Sequence, residues 1–158
     1  MKKRICFAFL TISILVFSLI TPAYAEVIPS RGQGQIGLQA VVLCDKLTVR
    51  QDPDAGSPEV MTLNYGDTFI TTQDKGKFAD VILSDDVDAG PEGWVNWEYI
   101  FIDPAWYVTE GKTPVYAWND TNAPKVALLD AGEKLPILKD DGTWYTVSLR
   151  GASGWIPR

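Results

Sequence analysis

Beyond Val41 the apolar residues come in short runs at alternate positions, which is the period of a strand with one buried face. Leu47 to Arg50, Phe69 to Thr72, Phe78 to Leu83 and Gly93 to Val95 are rich in β-branched and aromatic side chains and bounded by Gly, Pro or Asp, so each is predicted to be a strand. Pro114 to Ala117, Lys134 to Leu138, Trp144 to Leu149 and Trp155-Ile156 predict a second set. No stretch after residue 26 keeps a helical period over three turns, and an all-β fold is expected.

The two sets are one pattern written twice. Shifted by 66 positions, Val42 falls on Val108, Val49 on Val115, Pro58 on Pro124, Leu63 on Leu129, Gly66 on Gly132, Gly76 on Gly142, Phe78 on Trp144 and Val81 on Val147. Gly93-Trp94-Val95 matches Gly154-Trp155-Ile156 at an offset of 61, which puts five extra residues in the first copy between Ser84 and Glu92. A repeat of this kind predicts tandem units, here 41–102 and 103–158, each near the ~60-residue size at which a single core barely suffices. Pro104, which has no amide to give a ladder, marks the junction. Gly66-Asp67 and Gly132-Glu133 suit turns that need a permissive backbone, and Lys75-Gly76 and Asp141-Gly142 suit hairpins. Nothing in the second copy answers to Tyr99 and Ile100, so it is short by a last strand.

The N-terminus reads differently. Lys2, Lys3 and Arg4 precede an uncharged run from Ile5 to Tyr24 that ends in Ala23-Tyr24-Ala25, the order of a secretory signal peptide over 1–25; an uncleaved anchor is the rival reading. Residues 26–40, with Pro29, Gly32, Gly34 and Gly37, read as a flexible leader. A chain starting at Glu26 keeps 11 of the 14 basic residues against all 20 acidic ones, a formal charge of −9. That sign argues against nucleic acid and anionic wall polymers as partners. With Cys6 in the signal, Cys44 stands alone in an apolar run and is read as a small buried hydrophobe.

One order of residues is more specific. Leu47, Val49 and Arg50; Pro53; Val60, Leu63, Gly66 and Asp67; Gly76 and Phe78; then Gly93, Trp94, Val95, Tyr99 and Ile100 together resemble the bacterial Src homology 3 (SH3-like, SH3b) domain family. The match is good over 41–100 and weaker over 106–158. The resemblance implies two tandem small SH3-like β-barrels. It also implies an extracytoplasmic, non-catalytic role, often the targeting of peptidoglycan or other envelope ligands.

Strand alternation then sorts the aromatics. With Val115 and Ala117 inward, Tyr116 and Trp118 face outward, where the first copy has Arg50 and Asp52; Phe78 and Trp144 lie opposite the inward Val81 and Val147. Exposed rings call for cover, either a stacked sugar or peptide or packing between the units. Tyr116, Trp118, Trp144, Phe78 and Tyr99 are therefore the candidate ligand-binding residues. Trp94 and Trp155, each between a glycine and a β-branched neighbour, are read as core.

Other chemistry is poorly supported. Asp85, Asp86, Asp88 and Glu92 could supply oxygen ligands, but their spacing is not that of a calcium loop, and no metal or cofactor is expected. The chain has no histidine, which excludes Ser-His and Cys-His nucleophiles and His-ligated zinc. Two small barrels also lack the deep cleft that paired-carboxylate hydrolysis needs. The expectation is a secreted or envelope-associated binding module for peptidoglycan or another envelope ligand, with no nucleic acid and no membrane after signal cleavage. A protein-interaction or structural adaptor of the envelope, using the missing strand's edge, is the alternative.

Overall fold

The computed structural model describes residues 35–83 and 92–158. The stretch read as a signal peptide and most of the acidic expansion lie outside those residues. Among the described residues there is no α-helix. The described residues form two antiparallel sheets and a single 3-10 turn at Trp97–Tyr99.

The first sheet has seven strands: β1 (Gln39–Val42), β2 (Lys46–Arg50), β3 (Glu59–Asn64), β4 (Thr68–Lys75), β5 (Phe78–Ile82), β6 (Glu92–Asn96) and β7 (Ile100–Ile102), in the order β3-β2-β6-β5-β4-β1-β7. The second has six: β8 (Ala105–Val108), β9 (Thr113–Tyr116), β10 (Lys125–Leu129), β11 (Lys134–Asp140), β12 (Trp144–Leu149) and β13 (Ala152–Pro157), in the order β10-β9-β13-β12-β11-β8. Each wraps its own apolar cluster, around Val49, Val81, Val95 and Ile100 in one and Val115, Leu135, Val147 and Ile156 in the other.

Among the described residues neither sheet closes into the barrel expected from the sequence. Consecutive β3 and β4 are not paired, because the turn between them is bonded elsewhere: Gly66 N–H donates to Val42 O at 3.0 Å, and Val42 N–H to Asp67 O at 3.0 Å. Gly66 makes that turn at φ 86°, and Gly132 repeats it at φ 86° with its N–H on Thr109 O at 2.7 Å. These left-handed positions are the reason both copies carry glycine there.

The same bonds correct the repeat at one end. Thr68 pairs with Val41 and its counterpart Lys134 with Val108, so β1 and β8 correspond at an offset of 67, not 66. Thr109, not Val108, stands where Val42 stands, and Tyr107 takes the place of Ala40. One residue fewer between Thr109 and Thr113 restores the common offset. Ala79 likewise corresponds to Tyr145, and Tyr107 and Tyr145 pack with centroids 5.7 Å apart. Two tyrosines thus fill volume that the first sheet fills from Trp97, Ile100 and Ile102, all buried against its core.

Trp97 is the core tryptophan, 4% exposed, with its indole N–H on Asp74 Oδ1 at 3.0 Å. Trp94, read from the sequence as core, is half-buried on the other face, where residue 94 in a strand must point if Val95 points in. Arg158 holds the place of Trp97: its backbone N–H donates to Thr143 O as Trp97 N–H donates to Lys77 O, and its guanidinium meets Asp140, the counterpart of Asp74, at 3.4 Å. The side chain also lies over Tyr145.

Two further readings shift. β1 opens inside the stretch read as leader, and Thr71 Oγ1 donates to Gln35 O at 3.0 Å, so the leader's end is tied to the first sheet. Cys44 is half-buried, not buried; partial burial pushes its thiol pKa up, and Sγ donates to Lys46 O.

The sheets also touch. Val41, Leu43 and Phe101 from the first cluster with Trp106 and Leu138 from the second. Tyr65 donates its hydroxyl to Ser148 O at 2.8 Å beneath the Arg150 guanidinium, which also reaches Asp45 at 3.5 Å. Burial raises the Tyr65 pKa.

Candidate functional site

The candidate site lies on the outer face of the second sheet, where β9, β13 and β12 run side by side. Trp155 sits directly across from Tyr116, and Thr146 from Trp155, so all three share a face; Trp144, two residues before Thr146, joins them. Tyr116, Ala123 and Trp155 form a buried cluster with Trp144 packed against it. The Tyr116 and Trp144 rings meet edge to face, 5.9 Å apart at 88°, the geometry that aromatic quadrupoles favour.

Local chemistry sets Trp144 in place. Asp141 Oδ1 accepts from the amides of Thr143 at 2.9 Å and Trp144 at 2.7 Å and from the Thr143 hydroxyl, closing the hairpin that delivers Trp144 into β12. Those bonds to the charged form hold the Asp141 carboxyl below the usual range. Lys139 Nζ lies 6.0 Å from the Trp155 ring. Thr146 Oγ1 is buried beside them and has no hydrogen-bond partner among the described residues, an arrangement that typically costs ~1 to 3 kcal/mol.

Trp118 stands apart. It follows Tyr116 by two residues, on the loop 117–124, and is 52% exposed. That loop repeats the backbone bonds of the loop 51–58. Ala117 N–H donates to Pro124 O as Gln51 donates to Pro58, Ala123 to Asp120 O as Ser57 to Asp54, and an aspartate side chain accepts from the amide two residues on in each. In the first sheet the loop is locked by polar groups: Arg50 donates to Ser57 O at 2.6 Å, and the Ser57 hydroxyl lies between Asp52 and its amide. In the second, with the backbone unchanged, the same places hold Tyr116, Trp118 and Ala123.

The sequence candidates thus separate. Tyr116 faces outward as expected but is 8% exposed, because Trp144 and Trp155 cover it; it is floor, not contact surface. Trp144 is half-buried at the rim, and Trp118 is open. Phe78 is half-buried on the first sheet and Tyr99 is 41% exposed beside the 3-10 turn, both outside this cluster. Trp155, read as core, is buried on the outer face instead, as part of the site's floor. Among the described residues, the rings in the cluster and the hydrogen bond that join the sheets are Phe101, Trp106 and Tyr65, none of them a candidate. Among the described residues no cluster of three or more Cys, Asp or Glu side chains is placed to hold a metal; Asp85, Asp86 and Asp88 lie outside them.

No known protein family and no curated protein matches the chain. Distantly similar solved structures include NlpC2 from Trichomonas vaginalis (TM-score 0.35, 12% identity, 77% of this chain and 46% of that one), NlpC1 from the same organism (0.36, 12%, 76% and 43%) and an NlpC/P60 family protein from Bacillus cereus (0.40, 14%, 76% and 54%). The chain spans about half the length of each of these structures.

Proposed function

We propose that this protein is a non-catalytic, extracytoplasmic binding module built of two SH3-like units, and that it recognises peptidoglycan or another cell-envelope ligand through the aromatic face of the second unit. One observation carries this reading. Two loops of identical backbone bonding differ only in side chains, and the polar lock of the first shows that the fold does not require rings there. Placing Trp118 in water costs solvation, and a ring or peptide plane stacked on it removes that cost. The acidic surface favours a neutral part of such a ligand over its charged groups.

Trp118→Ala is expected to weaken retention of the chain on purified peptidoglycan sacculi about tenfold, since ~1.4 kcal/mol is one decade and a stacked ring contributes ~0.5 to 1.5 kcal/mol beyond its area. Folding stability should change by no more than ~0.5 kcal/mol, because an open ring leaves no cavity. Sedimentation of both chains with sacculi, beside thermal melts, measures the two effects. Equal retention of both chains would remove the site. The extracytoplasmic part has its own check: intact mass of the exported chain should correspond to a start at Glu26, and retention of residues 1–25 would mean an anchor.

A further inference from the structure

We infer that the aromatic face of the second sheet takes an N-acetylated amino sugar, whose acetamido carbonyl accepts a hydrogen bond from the Thr146 hydroxyl. This rests on the aromatic-face reading above and names its ligand. Thr146 lies in the middle of that face: Trp155 stands directly across from it on β13 and Lys139 on β11. It is 6% exposed, and its hydroxyl has no hydrogen-bond partner among the described residues. The free protein has already taken that hydroxyl out of water, so a carbonyl that reaches it restores a bond at no further desolvation of the donor.

The first sheet shows the same position with a partner in place. Asp80 corresponds to Thr146 and Gln73 to Lys139, and the two pairs lie at the same register. There the Thr72 hydroxyl donates to Asp80 Oδ2 at 3.0 Å. Leu138 stands where Thr72 does, has no group to share, and packs between the sheets instead. The cover over Thr146 can also move. Lys139 Nζ lies 6.0 Å from the Trp155 ring, two strands away from its own backbone, so the side chain crosses β12 above Thr146. Lys139 is exposed on a long flexible stem, whereas Tyr116 and Trp155 are buried in their cluster. Swinging the lysine outward uncovers the hydroxyl between the rings.

The surface then selects the ligand. It offers ring faces and one hydroxyl, because β12 runs between β11 and β13 and its backbone groups are taken up in ladders. A peptide laid across it would bury several amides against a single partner, which is costly. An amino sugar buries one amide. Its C–H face can lie on Trp144, which shares the outer face two residues before Thr146, while its hydroxyls stay in water. The acetamido methyl then meets the rings and the carbonyl meets Thr146. Such a sugar is uncharged, as the acidic surface favours.

The probes are triacetylchitotriose and cellotriose, which share ring form and linkage and differ in the acetamido group. Each is titrated into the full chain while amide shifts are followed by NMR. The acetylated sugar should bind about fivefold tighter or more, the ratio that one hydrogen bond gives, and should shift Trp144, Thr146 and Trp155. Thr146→Val keeps the shape and removes the hydroxyl; it should abolish the preference without lowering the melting temperature, since an unpaired buried group is lost. Thr146→Ser should keep the preference. Equal binding of the two sugars, binding of neither, or a preference that survives Thr146→Val would overturn the inference. So would a lower melting temperature for Thr146→Val, which would mean that the hydroxyl is already paired, or stronger shifts at these residues from an uncharged tripeptide. Trp118-dependent retention on sacculi with equal binding of the two sugars would remove this inference alone. Equal retention of Trp118→Ala and the parent chain removes the aromatic-face reading itself.

Discussion

Trp97→Ala is expected to destabilise the first sheet by ~3 to 5 kcal/mol, the range for truncating a buried large aromatic. Trp97 is 4% exposed and packs in the cluster that holds Val49, Val81 and Ile100. Its removal also strips Asp74 Oδ1 of the indole donor and leaves the 3-10 turn without its anchor to the core. Against a typical domain stability of ~5 to 15 kcal/mol, a loss of that size in so small a unit approaches unfolding. Trp97→Phe should recover most of the packing and lose mainly the hydrogen bond, ~1 kcal/mol. Trp94→Ala supplies the contrast, because that ring is half-buried on the outer face and should cost only ~1 kcal/mol. Urea unfolding of the three variants ranks them. Equal losses for Trp94→Ala and Trp97→Ala would show that the outer face is as tightly packed as the core.

Gly93→Ala is the second large effect, although it adds a single methyl group. A Cβ built on Gly93 would lie 2.5 Å from Val49 Cγ1 and 2.9 Å from Arg50 O. One neighbour is a stiff β-branched side chain fixed in the core and the other is backbone, so neither can yield without moving β2. β2 and β6 meet at the Arg50–Trp94 pair, which leaves little ladder to resist being pushed apart. Overpacking of this kind costs ~1 to 3 kcal/mol, and each kcal/mol lowers the melting temperature by ~4 to 8 °C in a domain of this size. The second copy repeats the constraint, with a Cβ on Gly154 meeting Val115 and Leu149. Val49→Ala in the Gly93→Ala background should recover part of the loss, and a double-mutant cycle measures the coupling. An unchanged melting temperature for Gly93→Ala would mean that the strands do not approach this closely.

The two glycines show how much the text of the chain carries. Gly66, Gly132, Gly93 and Gly154 could be assigned to turns or to strand openings because each is repeated and each breaks an apolar run at a fixed place. Eight strands, β2, β4, β5, β6, β9, β11, β12 and β13, were legible as short runs of β-branched and aromatic residues bounded by Gly, Pro or Asp, and in β2, β4 and β6 one buried face adds period two. The all-β class followed from them. β3 and β10 were legible only as spaced apolar residues, since they end their sheets and leave Val60, Val126 and Leu128 exposed, blurring the period. β1, β7 and β8 are three or four residues long, too short for a period to register.

The site divides along the same line. Alternation correctly placed Tyr116 and Trp144 outward, because the direction of a side chain from a strand is local geometry. Whether an outward ring is wet or covered depends on what the neighbouring strands bring. Trp155 arrives from β13 and Ala123 from a loop, and together they bury Tyr116 while Trp118 stays open. The exchange of Ala40 and Ala79 for Tyr107 and Tyr145 could not be read as compensation until a one-residue shift at β8 brought the two tyrosines into contact. Trp97 and Arg158 share no side-chain chemistry beyond an N–H donor, and only their common partners, Asp74 and Asp140, reveal them as one position. Local pattern determines which way a residue points, but coverage is a property of pairs brought together across the sheet, and only the tertiary structure decided that.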